Sequence, residues 1–324
     1  MTENKGVLGS GLSMVMRNKR YILWFWLLDL LLTIYGTSAF REAAHKILDN
    51  SLYSEKMLHG FDLGVFLDLF ARPELGPSIA MTTPAVYFAI IFFLATALFL
   101  PGVFAGYAST YRLPREDFFR ACGRNLWRFI RIMIIAGIVM LIFTVALFII
   151  NGAINKKAVE STNEVLPFEL QMIGLGVIFL VMTTLRIWFD LAEADTVLND
   201  QRAVRKSIAL AFRHTFRSLG RLLASYVVAT IVAAIILVAG VWCWLHFVPS
   251  TSIAGALLIS QFTLFLLLIP RFWQRGVAVS YWKQKMMVPV VAEQPIIPPQ
   301  PVTVVATPEP APIIPDTPPA PQGS

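Results

Sequence analysis

Charge and cysteine are what this chain has least of. Only 15% of its 324 residues are Asp, Glu, Lys or Arg, against ~25% in a water-soluble domain. The shortfall indicates burial in lipid rather than around a large water-soluble core. Cysteine occurs twice, at Cys122 and Cys243. The first falls in an expected cytoplasmic segment and the second inside an expected span, so no disulfide between them is expected. Two cysteines are also too few for a structural zinc site without histidine help. The histidines, His45, His59, His214 and His246, are scattered, with no HExxH and no pair four residues apart. There is no GxSxG elbow, P-loop or dinucleotide fingerprint. Gly9-Ser10-Gly11 reads as an unanchored turn, since no strand leads into it. No catalytic residue, metal ligand or cofactor is assigned, and the chain is read as a non-enzyme.

What is present is apolar. The chain is 56% hydrophobic with a mean hydropathy of +0.66. Six runs lie near residues 21–40, 84–107, 129–151, 168–190, 222–247 and 252–271. Each is close to the ~20 residues an α-helix needs to cross a bilayer core of ~30 Å. The expected fold is all-α: a polytopic transmembrane bundle of six helices. Lys19 and Arg20 before the first run resemble a secretory signal, but that run is long for one and contains Asp29, so an uncleaved span is expected.

Basic residues orient the bundle. The N-terminus, the 108–131 and 191–221 connectors and the end of span six carry twenty Lys and Arg; the opposite side carries six, and Arg186 lies within span four. The positive-inside tendency puts both termini in the cytoplasm. The net charge of +7 is therefore a membrane-flank signal and not a nucleic-acid one.

This divides the chain into a cytoplasmic N-terminus (1–20), a six-span domain (21–288) and a cytoplasmic tail (289–324). The outer segment, 41–83, carries apolar residues at near-helical spacing, broken by Gly60 and Gly64. It reads as short helices capping the bundle, with substrate gating as the lesser alternative. The tail holds twelve prolines in thirty-six residues and cannot pack a core. Its PxxP spacings suit aromatic-lined grooves on a cytosolic protein partner, though a plain solvated tail satisfies the same pattern.

The two inner connectors resemble each other. Arg124, Trp127 and Arg128 align with Arg213, Phe216 and Arg217 at one offset. Arg120, Arg124 and Arg128, like Arg213, Arg217 and Arg221, recur four apart and form a basic stripe. Each connector reads as an amphipathic helix on the cytoplasmic headgroup layer, with these six arginines contacting anionic lipid headgroups. A parallel internal repeat and convergence on one lipid surface both explain the likeness.

Charges inside spans carry the most suspicion, because each costs ~2.5–3.5 kcal/mol at mid-membrane. Asp29 lies in span one; Arg186 and Asp190, four apart on span four, can pair on one helix face, and Glu193 continues the group. One reading makes Asp29 a buried partner of Arg186 or of backbone donors, locking spans one and four together. The other makes Asp29, Asp190 and Glu193 a cation or proton site. The lock is preferred, since buried charges normally find partners. Pro101-Gly102 in span two should kink that helix, as a hinge or an accommodated break.

The stretch Phe189-Asp190-Leu191-Ala192-Glu193-Ala194-Asp195-Thr196-Val197, followed by Arg202, Ser207, Ala211-Phe212 and Phe216, resembles a group of bacterial multi-span proteins. In these an acidic turn ends a span and an amphipathic helix leads into the next. Uncharacterised families and the membrane domain fused to some glycerophosphodiester phosphodiesterases share this layout. Over residues 15–285 the resemblance implies a six-helix bacterial inner-membrane protein. No soluble phosphodiesterase domain is present, so no catalysis comes with it. The expected function is a non-enzymatic scaffold or accessory subunit binding anionic lipid and a cytosolic partner. The alternative is a small-solute or lipid transporter with its site near Asp29.

Overall fold

A computed structural model describes residues 6–36, 64, 83–159, 165–249 and 252–286, and among them every regular element is an α-helix. In chain order these are α1 (Val7–Arg17), α2 (Arg20–Gly36), α3 (Thr83–Ala108), α4 (Arg115–Val159), α5 (Leu166–Leu198), α6 (Val204–Arg217), α7 (Leu219–Phe247) and α8 (Ile253–Met286). Five of them, α3, α4, α5, α7 and α8, are long and apolar enough to cross a membrane. The described part of the first expected span is α2, at 17 residues. Gly64 apart, the expected outer-face helices of residues 41–82 lie outside the described residues, as does the proline-rich tail.

Among the described residues the first element, α1, is a helix where an unanchored turn was expected. Gly9-Ser10-Gly11 is part of α1, and the reason is its partner rather than its propensity. A Cβ built on Gly276 of α8 would lie 2.6 Å from the Gly11 carbonyl oxygen, and one on Gly11 would lie 2.7 Å from the Val277 nitrogen. Two hydrogens in place of side chains therefore let the backbones of α1 and α8 touch. Trp273 fastens the crossing by donating its Nε1–H to the Leu8 carbonyl at 2.9 Å.

The first connector is not a separate helix. α4 runs unbroken for 45 residues, about 68 Å at 1.5 Å per residue, so the Arg120–Arg128 stripe is the projecting end of span three. The stretch from Leu126 to Met133 holds neither proline nor glycine, so nothing there stops the helix. The second connector does break. Ser218, with φ −125° and ψ 25°, ends α6 and starts α7. Residues Val204, Ser207, Ala211 and Thr215 form the buried face of α6. Phe212 and Phe216 are exposed.

Pro101 and Pro270 sit inside α3 and α8 without ending either helix. Gly102 is a packing slot: a Cβ there would meet the Phe118 ring at 2.5 Å and the Cys122 sulfur at 2.6 Å. The buried residues gather at the cation-bearing end of each helix: Tyr21, Phe104, Tyr107, Phe118, Phe129 and Trp282 are all sealed. Away from that end the helices expose apolar surface. Ile134, Ile138, Leu141, Ile142, Val145 and Phe148 of α4 are all exposed, and only 6% of the most apolar stretch of α4 is buried. Water does not tolerate a patch this continuous; lipid does.

Candidate functional site

The 186, 190, 193 spacing puts three charged side chains on one face of α5. Arg186 Nε lies 3.9 Å from Asp190 Oδ2. The same carboxylate oxygen accepts a 2.8 Å hydrogen bond from the Tyr226 hydroxyl of α7. From α8, Gln274 donates to the Tyr226 carbonyl at 3.3 Å and to the Thr230 hydroxyl at 3.1 Å. Its neighbour Arg275 is buried, carries its guanidinium 5.3 Å from the Phe272 ring centre, and feels the charges of both Asp190 and Glu193. Tyr107 of α3 faces the same guanidinium.

Asp29 enters this group from α2. The cation whose charge acts on it is Arg271 of α8, where the lock reading named Arg186 or backbone donors. α2 packs along α8, which puts the Asp29 carboxylate beside that helix. The group thus collects three carboxyl side chains, Asp29, Asp190 and Glu193, and three arginines, Arg186, Arg271 and Arg275, and among the described residues its one ion pair is Arg186–Asp190. Buried charges survive in low dielectric only with such partners; removing the buried Arg275 should strand the carboxyl groups it acts on at ~3–5 kcal/mol, whereas the part-exposed Arg186 is screened.

Sequence reasoning missed Arg271, Gln274, Arg275 and Tyr226. Span six was ended at residue 271, which turned Arg271 and Arg275 into cytoplasmic flank. A signal was present: Phe272, Trp273, Val277, Tyr281 and Trp282 continue the apolar pattern at helical spacing, and all are buried. A cation inside that pattern belongs to the interior.

The six arginines expected on lipid headgroups divide into two sets. Arg120 pairs with Asp117 at 2.8 Å on its own helix. Arg128 reaches Asp200 at 2.7 Å, and Arg124 grips the same carboxylate. Asp200 sits at φ 49° in the turn before α6. Hydrogen bonds from Arg128, then Arg124, hold its carboxyl below the usual carboxylate range. Arg213, Arg217 and Arg221 are exposed and form no ion pair among the described residues.

Other flank cations act inside the protein. Arg17 donates to the carbonyls of Ser109 at 2.5 Å and Thr110 at 3.2 Å, Arg20 to that of Leu113 at 2.5 Å, and Lys283 to that of Ala108. Ala108 ends α3 and Ser109 and Thr110 follow it, where a helix leaves acceptors unmet and its dipole favours cations, while Leu113 lies in the loop before α4. Two grooves lie apart from the charge cluster. One, of about 570 Å³, runs between α7 and α8 past Gly240, Trp244 and Thr263. The other, of about 510 Å³, is walled by Trp24, Phe25, Leu28, Phe99 and Phe119, with Arg115 in its lining. Among the described residues no three of His, Cys, Asp and Glu gather as a metal-ligand set. In comparison with known proteins, the chain matches no family model, no curated protein and no solved structure.

Proposed function

We propose that this chain is a six-span protein of a bacterial cytoplasmic membrane, with both termini inside. In this reading it acts without catalysis, as a scaffold or accessory subunit. Its cationic face meets anionic lipid, and its proline-rich tail recruits a cytosolic partner. The observation carrying the reading is the charged cluster on α2, α5 and α8. Asp190 is engaged by Arg186 and by the Tyr226 hydroxyl of α7, and the charge of Arg271 on α8 acts on Asp29 of α2, as in an internal fastening. A cation-carrying site would present a carboxylate to an open path instead.

A sixth span is supported by α2. Its 17 described residues cover about 26 Å at 1.5 Å per residue, close to a ~30 Å core. Orientation rests on the twenty-to-six division of basic residues. The layout shared with the membrane domain of glycerophosphodiester phosphodiesterases is a likeness of arrangement and brings no reaction.

Deleting residues 289–324 tests the scaffold reading: insertion should stay intact while co-purifying cytosolic proteins are lost. Unchanged partners on pulldown would refute it. Asp29→Asn separates the transporter alternative. As a fastening, Asp29 is needed for abundance, so the variant should leave the membrane fraction depleted. A variant that stays abundant and folded but loses a transport phenotype favours the alternative.

A further inference from the structure

A third groove, of about 570 Å³, lies between α4 and the start of α6. Arg131, Arg202 and Arg205 line it together with Ile134 and Ile135. Three exposed guanidiniums thus converge on one cavity. Among the described residues no ion pair engages any of the three. Asp200, in the same turn, is already held by Arg124 and Arg128. Arg131 is further fixed by stacking 5.2 Å from the Trp127 ring centre.

The backbone adds to this field. α6 begins at Val204 with Ala203 as its cap, no side-chain cap hydrogen bond and no acidic residue in its first turn. The Lys206 and Ser207 N–H groups bond the Ala203 carbonyl, so the N–H groups of Val204 and Arg205, with the positive dipole end, lie at the lining formed by Ala203, Val204 and Arg205. A phosphate suits both the guanidinium forks and these amides.

The apolar wall decides which phosphate. Ile134 and Ile135 continue along α4 into the exposed Ile138, Leu141 and Ile142. A free phosphate leaves that surface bare, whereas an acyl chain covers it. We propose that this groove is a discrete site for an anionic phospholipid, its phosphate on Arg131, Arg202 and Arg205 and one chain along α4. The inference rests on the membrane reading above but shifts headgroup binding from the connector stripes to a built cavity.

The test uses the purified full-length chain. Native mass spectrometry measures retention of phosphatidylglycerol and phosphatidylcholine, with glycerol 3-phosphate as a soluble competitor. The expected result is one selectively retained phosphatidylglycerol, not displaced by glycerol 3-phosphate. Each cation near a lipid surface is worth roughly fivefold in binding. The Arg131→Gln/Arg202→Gln/Arg205→Gln variant should thus lose on the order of 100-fold. Ile135→Trp fills the groove while keeping all three arginines and should also weaken retention. Lys19→Gln/Arg112→Gln, which removes two exposed cations outside the groove, is the control and should retain the lipid. Equal retention by the triple variant, or equal loss by the control, overturns the site; so does displacement by glycerol 3-phosphate, which would reduce it to a phosphate subsite. A chain that partitions into vesicles of neither lipid overturns the membrane reading as well, so the two failures are distinct.

Discussion

Tyr226→Phe is the sharpest probe of the cluster. The substitution deletes one hydroxyl and leaves a ring of nearly the same volume, so no cavity adds to the effect. What disappears is a buried 2.8 Å hydrogen bond to Asp190. A hydrogen bond to a charged group contributes ~1.5–3 kcal/mol, so the expected loss is ~2 kcal/mol, about 30-fold in the folded-to-unfolded ratio. At ~2–4 °C per kcal/mol in a large domain, the melting temperature should fall by about 4–8 °C. Two companions set the scale. Tyr281→Phe breaks a neutral 2.9 Å bond to Ser218 and should cost nearer ~1 kcal/mol. Arg186→Gln removes a partner at 3.9 Å whose side chain is 35% exposed, and solvent screening holds that loss below ~1 kcal/mol. Tryptophan fluorescence on heating in one detergent ranks the three. The reasoning fails if Tyr226→Phe melts with the parent chain, or above Tyr281→Phe.

Gly276→Val should force α1 away from α8 at a cost of ~1–3 kcal/mol for overpacking; faster tryptic cleavage after Arg17 reports it, and an unchanged rate speaks against the backbone contact. Asp200 should keep Arg124 and Arg128 through the neutral range. A depressed carboxyl contributes above the ordinary carboxylate range and loses its contribution only as pH falls through its lowered folded value. Trp127 emission, near Arg128, should therefore stay flat from neutral pH to mild acid, and Asp200→Asn should change it at every pH. Burial first, then Arg213, Arg217 and Lys285, holds the His214 imidazole below its ordinary range. Its neutral form is favoured in the fold, so stability should decline as pH drops through the ordinary imidazole range. His214→Gln should remove that slope, and a slope that persists in the variant assigns it elsewhere.

Long apolar stretches were plain in the sequence because helix crossing imposes a length and a hydropathy, both local quantities. The Arg186–Asp190 pair was readable for the same reason, since four residues is one helical turn. The Asp29–Arg271 relation was not, because the helix facing α2 is set by packing more than two hundred residues away. Cations at span ends are ambiguous in principle. Arg17, Arg20 and Lys283 would look alike whether they lay on phosphates or bound backbone carbonyls between Ala108 and Leu113. Glycine is equally silent: Gly11 in a turn and Gly11 under the α8 backbone read the same. The continuity of α4 was hidden by the arginine stripe, which suggested a boundary where the backbone has none.

The concentration of sealed side chains at one end of the helices has a practical consequence. At the other end α4 meets α5 through Thr144 and Asn151, α7 meets α8 where Gly240 lies under Thr263, and the remaining apolar surface of the four helices is left to the medium. Hydrocarbon tails then become part of the tertiary structure there. Extracting the chain into short, stiff amphiphiles should slacken that half first and leave the aromatic knot around Tyr21 and Trp282 standing.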